Sequence, residues 1–189
     1  MFIEAVVGVI ILAFLLYRRP HSDIVQWLVA CILMFVLAEI FAQVGHAVYQ
    51  DPRPFTVDHV KPLFAHAPDN GFPSDHAMLA ALVVGAVAFI SVWWALPLAV
   101  FAVLVDWARV GAGIHHVADV AGSSLFVAAA ALVAFLVAPA VARLLLPMLP
   151  PSLTVEQRRL RGVPRYRDEP AFDVLESLSE ARSGRRSGR

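Results

Sequence analysis

Charge is scarce in this chain. Asp, Glu, Lys and Arg make up 16% of its 189 residues, well under the roughly 25% of soluble domains. Net charge is missing too, since 15 basic residues balance 15 acidic ones. That excludes the overall basic field that would draw nucleic acid as a partner. Cysteine is almost absent. Cys31 stands alone inside an apolar run, so no intramolecular disulfide can form, and the residue reads as small packing material.

What the chain has instead is apolar length, with 59% of its residues hydrophobic. A bilayer core of ~30 Å asks for about 20 apolar residues per helix. Five segments meet or approach that length: about 2–17, 24–49, 75–95, 96–110 and 116–147. The expected class is all-α, an integral membrane bundle of about five transmembrane helices. Residues 1–17 lack the basic start and the cleavage site of a signal peptide, so they read as a span that stays. Trp93-Trp94 and Leu96-Pro97 mark a tight interfacial turn between the third and fourth spans. Pro139 is expected to kink the last one.

Basic residues set the orientation. Arg18 and Arg19 lie in the first loop, and nine of the 15 basic residues lie in the last 32 positions. With five spans both groups fall on one side, read as cytoplasmic. The loop 50–74 and the turn 109–116 then face outward. Two units are expected: a membrane domain at 1–150 and a basic, mostly disordered cytoplasmic tail at 151–189, which serves as a positive-inside anchor touching anionic lipid.

Polar residues gather at the outward ends of the spans. The second span ends at His46 and runs into QDPRPF with Arg53. The third opens with Ser74, Asp75 and His76. The fourth ends in DWAR, with Asp106 and Arg109. The fifth opens IHHVAD, with His115, His116 and Asp119. Ionisable groups at membrane depth are costly and point to function. His115 and Asp119 are four apart and share a helix face. The carboxylate can fix the tautomer of the ring and leave one nitrogen as a nucleophile. Ser74 sits where an N-cap would, and a helix N-terminus offers free N–H groups to an anion. Two arginines add planar forks for phosphate oxygens, and His76 can protonate a leaving oxygen. Each residue also has a bland reading: Ser74 as a plain cap, Arg53 as an interfacial anchor, Arg109 as the i,i+3 partner of Asp106, His46 as interfacial. His116 competes with His115 as nucleophile. Together the residues describe a phosphoryl-binding site with a histidine to attack.

Arg53-Pro54, then Pro73-Ser74-x-His76, then Arg109-x5-His115-x3-Asp119 resemble the three motifs of the type 2 phosphatidic acid phosphatase (PAP2) superfamily. The resemblance implies a helical phosphatase without metal or other cofactor, a phosphohistidine on His115 oriented by Asp119, and His76 as general acid. It makes Arg53, Ser74, Arg109 and the N–H of Asp75 phosphate ligands. His46 stands where the family usually has Lys, and Ala108 where it usually has Ser. Relatives commonly have six spans, so one helix is missing here or the start is misplaced.

The stretch HAPDNGFPSDH resembles the bacitracin-resistance type of undecaprenyl-diphosphate phosphatase. That likeness implies a polyprenyl diphosphate substrate on the outer leaflet of a bacterial inner membrane. Phosphatidate, phosphatidylglycerophosphate and lipid A phosphates are the alternatives within the superfamily. Vanadium-dependent haloperoxidases share the motifs but are soluble. Outside it stand a non-catalytic lipid-phosphate binder or transporter, and a metal site of His76, His115, His116 and Asp119. The sequence leaves the oligomeric state open.

Overall fold

The computed structural model describes residues 2–17, 19 and 21–148. The expected tail at 151–189 lies outside them. The described residues are helical, with no strand among them: α1 (Phe2–Leu16), α2 (His21–Val48), the single-turn α3 (Pro54–Val57), α4 (Asp75–Ala88), α5 (Val92–Gly111) and α6 (Val117–Leu145), closed by a 3₁₀ turn at Leu146–Met148.

Small residues decide how these helices pack. On α6 the buried positions Ser123, Val127, Ala130, Ala134, Ala138 and Ala142 recur every three or four residues. On α2, Ala30, Met34, Ala38 and Ala42 recur every four. The two stripes face each other, and α2 with α6 forms the most extensive helix pair. Alanine lets the backbones approach closely, the usual route to helix association in lipid. Met34 and Met78 fill what the alanines leave, within one cluster that includes Val127, Ala130 and Ala134. A second cluster joins α1, α4 and α5 through Val87, Ala95 and Leu98.

The large apolar side chains point the other way. Ile10, Phe14, Val100, Leu125, Phe135 and Leu136 are all exposed. A small-residue interior with a large-residue exterior is the arrangement of a bundle solvated by lipid. Among the described residues, α2, α5 and α6 are long and apolar enough to cross a membrane, while α1 and α4 are shorter apolar helices. At 14 residues, α4 is about 21 Å long.

One expected boundary moves. The break between the third and fourth spans is not at Trp93–Pro97. α4 ends at Ala88, and α5 begins at Val92 with Ser91 as its N-cap. Both tryptophans lie in the first turn of α5, and Pro97 lies inside the helix. Proline's fixed φ suits a helix, and its missing N–H costs one bond near the helix start. Pro139 likewise lies inside a continuous α6.

Candidate active site

The buried polar and charged side chains among the described residues are Arg53, Ser74, His115, Asp119 and Ser123. All five belong to one cluster. It sits where the loops after α2 and before α4 meet the start of α6.

Asp119 is in the first turn of α6. It reaches back to the N-cap, where its Oδ2 accepts from the His116 N–H at 2.9 Å. The same oxygen lies 3.2 Å from His115 Nδ1. A carboxylate can only accept there, so Nδ1 carries the proton and Nε2 keeps its lone pair. Around that lone pair stand two donors: Arg53 Nη1 at 3.2 Å and Ser74 Oγ at 3.3 Å. Asp119 is fully buried and His115 is 3% exposed, so the pair interacts with little solvent screening.

Arg53 is the N-cap residue of α3, and Pro54 at the first helical position presets its direction. Its Nε donates to Asp69 Oδ1 at 2.6 Å, and Nη1 donates to the Ile114 carbonyl at 3.0 Å. The guanidinium is therefore held in place with Nη2 still available. The bond to Arg53 holds the Asp69 carboxyl below its ordinary range, against a smaller opposing effect of burial.

Ser74 is the N-cap of α4, but its side chain makes no capping bond. The hydroxyl is turned to His115 instead. The first N–H groups of α4 are thereby left facing outward for an anion. Ser123, which the motifs do not mark, explains how Ser74 is held. Its Oγ accepts from the Ser74 N–H at 2.8 Å and lies 3.0 Å from the Ser74 carbonyl and 2.8 Å from the Asp119 carbonyl. One hydroxyl thus fastens the loop before α4 to the first turns of α6.

Arg53 and His115 open on a cavity of about 290 Å³ whose wall also includes His46, His66, Asp75, His76 and Arg109. His76 and His115 both line it. Arg109 does so without pairing to Asp106; Asp106 is next to the Ser124 hydroxyl, 3.4 Å away. Among the described residues Arg109 has no ion-pair partner, its Nε is buried without a hydrogen bond, and its guanidinium lies 5.9 Å over the Phe64 ring. An unpaired half-buried cation in a cavity invites an anion. His46 lines the wall, with Nδ1 3.0 Å from the Phe72 carbonyl. The Asn70 Nδ2 donor lies 3.2 Å from the same nitrogen, so Nδ1 is engaged from both sides and only Nε2 is left for a ligand.

Besides Ser123, three residues here escaped sequence reasoning. His66 lines the cavity with its ring 6.5 Å from that of His115. Asn70 ties the two loops together through the Asp51 N–H at 2.8 Å and the Phe72 N–H at 3.1 Å. Asp69 holds Arg53. Asn70 and Asp69 lie in the stretch HAPDNGFPSDH, but neither has a helical spacing to announce its partner. His116, by contrast, is absent from the cavity wall. Its two ring nitrogens lie 3.0 Å from Asp51 and 3.0 Å from Asp58. The four-residue set of His76, His115, His116 and Asp119 is therefore not gathered around one point.

The family model of the PAP2 superfamily matches residues 27–143. The chain belongs to the PAP2 superfamily. The match contains every cavity residue named above. This PAP2 chain is 40% identical over 76 residues to Undecaprenyl-diphosphatase BcrC of Bacillus subtilis (strain 168), covering 40% of this chain and 39% of that one. It is 30% identical over 140 residues to the Bacitracin transport permease protein BcrC of Bacillus licheniformis, covering 67% and 68%. The chain thus spans about two-fifths of the first relative and about two-thirds of the second. No solved structure matches.

Proposed function

We propose that this PAP2 protein hydrolyses a polyprenyl diphosphate to the monophosphate through a phosphohistidine on His115. One observation carries the reading: His115 lines the cavity with its Nε2 beside Arg53 Nη1 and Ser74 Oγ, while Asp119 holds Nδ1. A phosphoryl group placed there puts phosphorus before the nucleophile and its oxygens on the two donors.

The steps follow from that placement. Arg53, Arg109, Ser74 and the N–H groups at the start of α4, Asp75 included, hold the terminal phosphate. Their charges offset the charge spread over its oxygens in the transition state. His115 Nε2 forms the bond to phosphorus as the bond to the bridging oxygen breaks. His76 gives that oxygen its proton, releasing the lipid monophosphate. Water, deprotonated by His76, then cleaves phospho-His115. Asp119 stabilises the ring as it gains positive charge. His46 assists the phosphate when its Nε2 carries a proton.

The substrate rests on the name of the Bacillus subtilis relative and on the cavity, whose about 290 Å³ is near the small end of ligand sites. It suits a head group whose chain stays in lipid. In this reading the site faces the extracytoplasmic side of a bacterial inner membrane. The second relative's name favours one other reading, a transport protein that recognises lipid phosphate without cleaving it. The test is phosphate release by purified protein in detergent with EDTA present, from undecaprenyl diphosphate and phosphatidate side by side. Release from the diphosphate, lost in His115→Ala, is expected. Preference for phosphatidate overturns the substrate. No release from either, with tight binding of both, favours transport. Undiminished release by His115→Ala sinks the histidine mechanism.

A further inference from the structure

Two buried side-chain atoms beside the catalytic dyad have no hydrogen-bond partner: Asp119 Oδ1 and His116 Nδ1. Asp119 is fully buried, and a buried carboxylate oxygen costs free energy unless something answers it. Oδ2 of the same carboxylate is already engaged by the His116 N–H and by His115. His116 Nδ1 lies 3.0 Å from Asp51 Oδ1 but makes no aligned hydrogen bond. One ligand atom each from Asp51, His116 and Asp119 lies within 4.8 Å of the other two.

The far side of the imidazole completes the pattern. His116 Nε2 is 3.0 Å from Asp58 Oδ2. With Nε2–H donating to Asp58, Nδ1 is left unprotonated beside the Asp51 and Asp119 carboxylates. One ligand atom from each of three residues converges there. A histidine fixed by a carboxylate on one nitrogen and presenting the other is how metal-ligating imidazoles are set.

We propose that Asp51, His116 and Asp119 form a divalent-cation site, with Asp58 orienting the His116 ring. One imidazole nitrogen and two carboxylate oxygens suit a transition-metal dication such as Zn²⁺, with water completing a tetrahedron. Ca²⁺ needs more oxygen ligands than this cluster supplies. The site is separate from the phosphate cavity, whose wall contains neither Asp51 nor His116 nor Asp119.

Its position gives it a consequence for catalysis, which rests on the phosphatase reading while the binding itself does not. A cation on the Asp119 carboxylate draws electron density from the group that holds His115. It also adds positive charge next to a ring that must become cationic. The bound cation therefore slows phosphate release.

The experiment titrates Zn²⁺ into the EDTA-stripped and desalted full-length protein in detergent, against a chromogenic zinc chelator. Phosphate release is followed in parallel. One saturable Zn²⁺ per chain is expected. Asp51→Asn and His116→Gln should each weaken binding at least tenfold, Asp58→Asn by about 10- to 100-fold, and His76→Ala should leave it unchanged. Each variant is compared only where it elutes as the same monodisperse species as the wild type. Zn²⁺ should lower the wild-type rate, EDTA should restore it, and Asp51→Asn should be insensitive at the same concentration. Absence of saturable binding overturns the site, as does binding that survives in Asp51→Asn and His116→Gln but is lost in His76→Ala. Zinc binding lost in these variants, in a protein that releases no phosphate, upholds the site while the enzymatic reading fails.

Discussion

Arg53 can be held firmly and still serve a ligand because it has five N–H donors in one plane. Asp69 takes Nε and the Ile114 carbonyl takes part of Nη1, which sets the plane and leaves Nη2. Asp69 is 58% exposed, so the ion pair is screened and contributes about 0.5–1 kcal/mol. Asp69→Asn should raise KM by about two- to fivefold and leave kcat nearly unchanged, since it frees a clamp that acts on bound substrate throughout. The pH dependence has a definite sign. The bond to Arg53 lowers the folded-state pKa of Asp69, so its contribution is complete above the unfolded value and is lost only as pH falls through the lowered one. An acid limb in kcat/KM above the ordinary carboxylate range, about pH 4, must come from other groups and should stay in place in Asp69→Asn. A limb that moves with this substitution would show that the screening argument is wrong. His46 poses the opposite case. Its Nδ1 is engaged by the Phe72 carbonyl and the Asn70 amide, so only Nε2 is left for phosphate. His46→Lys should leave KM unchanged or lower it. A KM raised more than tenfold would mean that the bond to the Phe72 carbonyl outweighs the gain of a charge.

Helices place these residues through a wedge. Phe72, directly before Pro73-Ser74, packs edge-on to Phe126 of α6 at 5.7 Å and to Tyr49 at 4.9 Å. Two glycines make room for it. A methyl group on Gly122 would overlap the Phe72 ring, and one on Gly45 would come within 2.9 Å of that ring and 2.7 Å of Phe126. Gly122→Ala should therefore push Phe72 off α6 and carry Ser74 away from His115. Overpacking of this kind costs about 1–3 kcal/mol. If most of it falls on the site, kcat drops about tenfold while the purified protein still elutes as the wild-type species. Unchanged kcat would show that the ring yields without moving the loop. This wedge also marks what the sequence made legible. Apolar runs announce helices; His115 and Asp119 do meet, but His115 lies before α6, so the pair forms at the helix N-terminus and not along a shared helix face. The end of α4 was hidden because Phe89-Ile90 continues an apolar run and only Ser91 interrupts it. Trp93, Trp94 and Pro97 drew the boundary toward themselves. Ser123 and Asn70 were hidden because their partners are largely backbone atoms of distant loops, a relation no local spacing carries. His116 had a plausible spacing to Asp119, yet its N-cap position turns the ring toward Asp51 and Asp58.

Across the whole molecule, the cavity, Asp69 and the Asp51–His116 cluster lie at one end of the bundle, with α4, α5 and α6 between the loop before α4 and the turn after α6. Three successive crossings by α4, α5 and α6 would put Leu63 and Met148 on opposite sides of a membrane, whatever number of spans precedes them. Both are exposed, and the sequence has one other thiol to remove, Cys31. In a Cys31→Ser background, Leu63→Cys should react with a membrane-impermeant maleimide added to intact cells, and Met148→Cys should react only after the cells are opened. That pattern places the phosphate cavity outside, where the arginines after α1 and in the tail would remain inside. Reversed labelling would turn the site to the cytoplasm and remove an outer-leaflet diphosphate as substrate, leaving the histidine chemistry untouched. Labelling of both positions in intact cells would mean that α4, with 14 residues, does not cross. The bundle would then hold its site within the membrane on a re-entrant segment, a depth at which Arg53 and Arg109 would need a bound anion still more.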